Sequence, residues 1–129
     1  PDIRRFDHGT PGVIAAVASL PALDWHAAQD PSAILGHNRD LSRQILVGIA
    51  DLKLPLASPR DESQRGGSIM VALPTDVPAQ DLLAAFRKDG ISADARSQTL
   101  RLSPGVMTTH AGVEKMLAVL GDFCRRSRH

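Results

Sequence analysis

The sequence contains little of several residue types, and each shortage argues against a class of protein. It has one cysteine, Cys124, so an internal disulfide framework is excluded. Aromatic residues make up only 3%, which leaves few surfaces for stacking nucleic-acid bases. Lys plus Arg is 15 against Asp plus Glu at 14, so the basic excess typical of nucleic-acid binders is missing. We therefore expect no nucleic-acid partner.

Long apolar runs are missing as well. No stretch reaches the roughly 18–20 apolar residues that span a bilayer, so we expect no membrane partner. No signal peptide is visible, and together with the single cysteine this favours a cytoplasmic location. The chain opens on Pro1 rather than Met, which indicates a piece of a longer protein.

The residues that are present predict a folded domain. Hydrophobic residues make up 43% and charged residues 22% of the 129 positions, near the average for one globular domain. Near the start, Thr10 is a good N-cap and Pro11 fits the first helical position, so a helix is predicted from this point. Pro21 is predicted to end or kink it, with a second helical piece over 22–29.

Asp30 and Pro31 repeat the same start signal for a helix over about 32–53. One helical face is predicted to be buried, because its apolar residues recur at helical spacing: Ile34, Leu41, Ile45, Ile49 and Leu52. Residues 57–67 (ASPRDESQRGG) are predicted to form a polar loop.

The remaining chain alternates short apolar runs with helical patterns. Asp76 is predicted to cap a helix that Gly90 ends. The predicted elements are strand 68–73, helix 77–89, strands 91–96 and 99–102, and a final amphipathic helix over 113–123. This order predicts an α+β fold, with helices on one face of a small, mainly antiparallel sheet.

Two features are candidates for binding anions. Gly9, Thr10 and the turn to Gly12 precede a helix, and a helix N-terminus with unpaired amides can hold a phosphate, although most such starts are simple caps. Arg101 lies between two apolar strand residues, so it points to the opposite face. An arginine there can hold a carboxylate by two parallel hydrogen bonds, or it can simply face solvent.

Other polar features predict structure rather than chemistry. Arg65 with the two glycines after it is interpreted as a turn. The five histidines show no metal-ligand spacing, so no metal site is expected. Cys124 has no activating partner in the sequence and is interpreted as a packed thiol.

The chain carries four ordered motif segments: residues 6–11, 56–68, 90–96, and 100–104 with 112–117. Together they resemble the class V aminotransferase-like family of fold-type I pyridoxal-phosphate enzymes, close to kynureninases and cysteine desulfurases. Residues 6–11 (FDHGTP) resemble the family's F-x-x-G-T-P, and residues 56–68 resemble the loop and strand of kynureninases. Residues 90–96 (GISADAR) resemble G-I/V-x-x-D-x-R. Residues 100–104 (LRLSP) resemble L-R-x-S/A-P, and residues 112–117 the helix that follows. Residues 105–109 depart from the kynureninase pattern.

The resemblance implies the C-terminal small domain of a homodimeric enzyme that binds pyridoxal 5'-phosphate and acts on an amino acid. It implies that Gly9 and Thr10 bind the cofactor phosphate of the neighbouring subunit and that Arg101 binds the substrate α-carboxylate. Residues 1–54 would form a helical linker that contributes to the dimer and cofactor site, and 55–129 the α+β small domain.

The resemblance also implies that the cofactor lysine lies in a large domain outside this chain, so no catalytic residue is expected here. Lys53, Lys88 and Lys115 match no such motif. Transamination, desulfuration, hydrolysis and racemisation all stay open. The alternatives are a non-catalytic dimerisation module that kept the fold and a regulatory domain that binds a small molecule.

Overall fold

The computed structural model describes Gly9 and residues 12–127. Its contacts divide the chain into two compact units, one ending at Ala33 and the other beginning at Ile34. The elements in chain order are α1 (Val13–Ala27), α2 (Pro31–Asp51), β1 (Ile69–Ala72), α3 (Ala79–Lys88), β2 (Asp94–Arg96), β3 (Thr99–Leu102) and α4 (His110–Arg126). The functional boundary expected between residues 54 and 55 stays a prediction.

Helix α1 makes up most of the first unit, and it runs without a break through Pro21. The predicted end at Pro21, with a separate helical piece over 22–29, is therefore wrong. A proline lacks one backbone N–H and crowds the preceding turn, but residues that favour helices lie on both sides of it, among them Ala18, Leu20 and Ala22. No residue of α1 is buried. Its exposed large apolar side chains are Val13, Ile14, Val17, Leu20, Leu23 and Trp25.

Helix α2 begins where the sequence predicts. The Asp30 carboxylate accepts hydrogen bonds from the backbone N–H of Ser32 at 2.9 Å and from the Ser32 hydroxyl at 2.8 Å. These bonds from the Ser32 side chain and backbone lower the pKa of Asp30 from its usual value of 3.8. Asp30 is therefore the N-cap, with Pro31 at the first helical position.

The second unit is built on a three-stranded antiparallel sheet in the order β1-β3-β2. Strand β3 is central, and Leu100 and Leu102 on it are buried. Ile69 and Val71 of β1 lie opposite these two leucines across the pairing. Because side chains alternate along a strand, these four residues form one apolar face.

Helices α2, α3 and α4 contribute most of the rest of the core, so the predicted α+β fold is confirmed. Leu41, Ile45 and Ile49 are buried as their spacing predicts, whereas Ile34 and Leu52 of the same predicted face are only partly buried. The main core residues of the last two helices are Leu82, Leu83, Phe86, Val113, Met116 and Leu120. Among the described residues, no helix is long and apolar enough to cross a membrane.

Helices α2 and α4 approach each other at two glycines. A Cβ on Gly48 would lie 2.3 Å from Leu117, and one on Gly121 would lie 2.8 Å from Leu52. Towards the N-terminus of α4, the Gln44 side-chain amide donates to the His110 carbonyl at 3.2 Å. The contacts advance along both helices together, so α2 and α4 run in the same direction.

Two local predictions need correction and one is confirmed. Helix α3 begins after Pro78, and no side chain caps it among the described residues, so Asp76 is not the cap. Strand β2 spans only Asp94–Arg96, three residues shorter than predicted. Gly90 ends α3 in the left-handed conformation at φ +73°, as predicted for a C′ glycine.

Candidate functional site

The face of the sheet opposite the core is open, and Arg101 lies in its middle strand. Its neighbours Leu100 and Leu102 are buried, whereas the Arg101 side chain is 45% exposed. The sequence predicted this alternation, because a polar residue between two buried ones must point to the other face. A guanidinium is therefore held by the sheet itself on the surface that faces away from the core.

Asp94 pairs with Arg101 across the sheet. The two residues are directly opposite in the register of β2 and β3, and Nη2 of Arg101 donates a hydrogen bond to Oδ2 of Asp94. The Asp94 side chain is 48% exposed. Sequence reasoning missed Asp94. The signal was the two-residue turn over 97–98, which by counting outward places residue 94 opposite residue 101.

A shallow depression surrounds this pair, with a volume of about 370 Å³. Its charged lining consists of Asp94, Arg96 and Arg101, so positive charge exceeds negative by one. Arg96 is exposed and forms no ion pair with another described residue. The remaining lining residues are Ala57, Met70 and Thr99. The depression is suited to an anion.

A second, larger groove has a different character. It has a volume of about 460 Å³ and contains no titratable side chain, so it offers no group for acid–base chemistry. Its apolar walls include Ile91, Leu102 and Met107, and its polar groups are hydroxyls such as those of Ser92 and Thr108. We therefore place the candidate site on the open sheet face.

The predicted phosphate site is described only in part. Gly9 is exposed and adopts φ +134°, a conformation that other residues rarely take. Thr10 lies outside the described residues. The N-cap of α1 is Gly12 and not Thr10 as predicted, and no described side chain caps this helix start. Gly9 and Arg101 belong to different compact units.

The loop before β1 is held by its own polar contacts. Nη1 of Arg65 donates to the carbonyls of Pro59 and Arg60 at 3.0 and 3.1 Å, which agrees with its interpretation as part of a turn. Asp61 accepts from the backbone N–H of Ser63 at 2.9 Å. This backbone bond, with a second one from the Ser63 hydroxyl, lowers the pKa of Asp61 from its usual 3.8. These groups serve the loop rather than a ligand.

Other candidate groups lie away from the open face. Cys124 is buried in α4 within the core. Nζ of Lys115 donates to the Asp89 carbonyl and lies 3.7 Å from Oδ1 of Asp89. Within the described part of the chain, no three His, Cys, Asp or Glu residues are grouped to hold a metal ion.

Comparison with known proteins identifies the family of this chain. The chain matches the family model "Aminotransferase class-V" over residues 2–125. It therefore belongs to the class-V aminotransferase family.

Two similar proteins are both named as cysteine desulfurases. A curated "Probable cysteine desulfurase" from Vibrio cholerae is 26% identical over 132 residues, covering 90% of this chain and 31% of that protein. The apo structure of a cysteine desulfurase from Thermococcus onnurineus NA1 matches with a TM-score of 0.84 and 19% identity, covering 96% of this chain and 34% of that one. The chain thus spans about a third of the length of these relatives.

Proposed function

We propose that this chain is the small domain of a pyridoxal-phosphate-dependent class-V enzyme that acts on an α-amino acid. The observation that carries the proposal is Arg101 on the open face of the sheet, in a chain that matches the class-V family over residues 2–125. A guanidinium at this position suits the α-carboxylate that every such substrate carries.

Arg101 would bind the substrate carboxylate directly. Arginine has five N–H donors in a rigid fork, and the recorded bond to Asp94 uses a donor on Nη2. The remaining donors are available to a ligand on the half-exposed side. Because the strand holds the backbone on both sides of Arg101, the guanidinium would fix the orientation of the amino acid relative to the cofactor.

Gly9 and Thr10 would hold the cofactor phosphate of the neighbouring subunit in a homodimer. Two observations support this assignment: Gly9 adopts a glycine-specific conformation, and no described side chain caps the start of α1. The unpaired amides of a helix start attract a phosphate. When bound, the cofactor supplies an electron sink for bond breaking next to the α-carbon.

The cofactor lysine would come from a large domain beyond this chain. The chain spans about a third of its relatives, and none of its three lysines, at positions 53, 88 and 115, lines the depression at Arg101. Helix α1 supports a further partner surface, because its apolar side chains are exposed along its whole length. A helix apolar on all sides is normally buried, so we expect the large domain to cover α1.

L-Cysteine is the first substrate to test, because both relatives are named as cysteine desulfurases. We expect the complete polypeptide that contains this chain to bind the cofactor covalently at a lysine outside residues 1–129. Borohydride reduction followed by peptide mapping locates that lysine. A label on Lys53, Lys88 or Lys115 would show that the cofactor lysine lies in this chain, and the proposal that a large domain supplies it would be wrong.

In the same polypeptide, Arg101→Lys tests the substrate role. Lysine keeps the charge but loses the fork, so we expect kcat/KM to fall by the equivalent of about 1–3 kcal/mol. Arg125→Lys is the matched control, since Arg125 pairs with Asp122 on the surface of α4. Unchanged kinetics for Arg101→Lys would assign this residue to an ordinary solvated strand face.

The exposed apolar surface of α1 also favours a second candidate, a non-catalytic dimerisation module. Sedimentation of the 129-residue chain separates the two proposals. A stable dimer of this chain that is lost on Leu20→Glu, combined with no cofactor binding by the complete polypeptide, would support the dimerisation module over the enzyme.

A further inference from the structure

We propose that Asp94 is the resident counter-ion of Arg101, and that it releases Arg101 to a substrate carboxylate by moving to Arg96. The proposal rests on the proposed function, since it concerns the same carboxylate site. Asp94 is in this scheme a positioning residue, because it acts through Arg101 and not on the substrate.

The resting pair follows from the register of the sheet. Asp94 and Arg101 are Cα partners across β2 and β3, and Oδ2 of Asp94 accepts from Nη2 of Arg101. An aspartate carboxylate is chemically the group that an amino-acid substrate presents. The open face therefore already holds a carboxylate at the guanidinium predicted to bind one.

The pair is placed where a ligand can exchange with it. The two side chains are 45% and 48% exposed, so water and salt screen their attraction. Exposed ion pairs of this kind contribute little to stability. A substrate carboxylate can therefore take the place of Asp94 at small cost to the fold.

Arg96 supplies the place to which Asp94 can move. It follows Asp94 by two positions on β2, so both side chains lie on the same face, about 7 Å apart along the strand. Arg96 is exposed and, among the described residues, has no recorded ion-pair partner. The long, flexible arginine side chain can reach the short aspartate across that distance.

The charge balance favours this exchange. Two arginines and one aspartate line the depression, which leaves one positive charge in excess. A bound carboxylate on Arg101, with Asp94 on Arg96, neutralises both cations. If Asp94 stayed on Arg101, the incoming carboxylate would lie beside another negative charge while Arg96 remained unpaired.

The test uses sodium acetate as the probe and NMR of the arginine side-chain Nε–H groups in the 129-residue chain. We expect acetate to shift the Arg101 signal, and Arg101→Gln identifies that signal by its loss. Asp94→Asn removes the competing carboxylate, so acetate should bind about two- to fivefold more tightly, in line with the weakness of exposed pairs. Asp94→Glu restores a carboxylate and should restore wild-type affinity.

Arg96→Gln tests the exchange itself. It removes the alternative partner, so acetate should bind more weakly in the otherwise wild-type chain. In the Asp94→Asn background the same change should have little effect, because no aspartate remains to be moved. Asp122→Asn, which removes another exposed partner of an arginine, is the control and should leave acetate binding unchanged.

The outcomes separate the two proposals. If acetate does not shift the Arg101 signal, the substrate role of Arg101 fails. If it does, but Asp94→Asn leaves the affinity unchanged or weaker, only the role of Asp94 is wrong. If Arg96→Gln weakens binding equally in both backgrounds, Arg96 contacts the probe directly and the exchange is wrong. The backbone amide spectrum checks that each variant is folded, and Asp94→Ser replaces Asp94→Asn if that one is not.

Discussion

Helices α1 and α4 are of similar length, 15 and 17 residues, but they place their apolar side chains in opposite ways. Helix α4 concentrates them on one face, and Val113, Met116 and Leu120 are buried in the core. Helix α1 carries them all round and buries none. An apolar stripe on one face can be buried inside one domain, whereas a helix that is apolar on every side needs additional protein surface to bury it.

The largest expected difference between the two helices concerns a leucine in each. Leu120→Ala in α4 removes a fully buried side chain, so the free energy of unfolding should fall by about 2–5 kcal/mol. Leu20→Ala in α1 alters a side chain that is 52% exposed, so the free energy of unfolding should change by less than about 0.5 kcal/mol. Urea denaturation of the 129-residue chain measures both.

The contrast between the two helices would be wrong if both substitutions lowered the free energy of unfolding by similar amounts. A large loss for Leu20→Ala would mean that α1 is covered within this chain, and the need for a large domain to cover it would disappear. A small loss for Leu120→Ala would mean that α4 is not part of the cooperative core.

The next effect concerns how closely α4 packs. In α2, a Cβ at Gly48 would lie 2.3 Å from Leu117 of α4, whereas one at Gly36 would meet nothing within 4 Å. We expect Gly48→Ala to destabilise the chain by about 1–3 kcal/mol relative to Gly36→Ala. Gly36→Ala should itself stabilise α2 by about 0.5–1 kcal/mol, because alanine favours helices. Thermal unfolding compares them, and equal stabilities would show that Leu117 rotates away freely.

The smallest expected effect is a difference in pH dependence between the N-cap of α2, Asp30, and the N-cap of α4, Thr109. Hydrogen bonds from Ser32 lower the pKa of Asp30 from 3.8, so this cap contributes above that pH and is lost as pH falls through the lowered pKa. The α4 cap is the neutral Thr109, which accepts from Gly112 N at 3.0 Å and does not titrate there. Carboxyl NMR should find Asp30 below 3.8 and Ser32→Ala should raise its pKa. A wild-type pKa at or above 3.8 would contradict this.

Periodicity predicted the second unit well, because the apolar faces of its helices and strands pack against each other within the chain. The spacing of Leu41, Ile45 and Ile49 and the alternation around Arg101 both correspond to observed faces. The boundaries of β2 were missed, because a strand ends where its pairing ends, and residues 91–93 do not pair in it. Pairing depends on the partner strand rather than on local sequence.

The first unit was harder to predict for a physical reason. Pro21 carries a strong local signal to end a helix, yet α1 continues through it. The substrate and phosphate roles of Arg101, Gly9 and Thr10 stay proposals, because they depend on groups outside this chain. Asp94 was accessible from the sequence only by combining the turn length with antiparallel pairing, which places it opposite Arg101.

The parallel contact between α2 and α4 has a consequence for synthesis. Hydrogen bonds join His37 to the Thr108 carbonyl and Gln44 to that of His110 across separations of 71 and 66 residues. During synthesis, the apolar face of α2 therefore stays uncovered until α4 has emerged from the ribosome. Contacts this distant in sequence slow folding and keep the apolar face of α2 exposed for longer, which favours aggregation of the nascent chain.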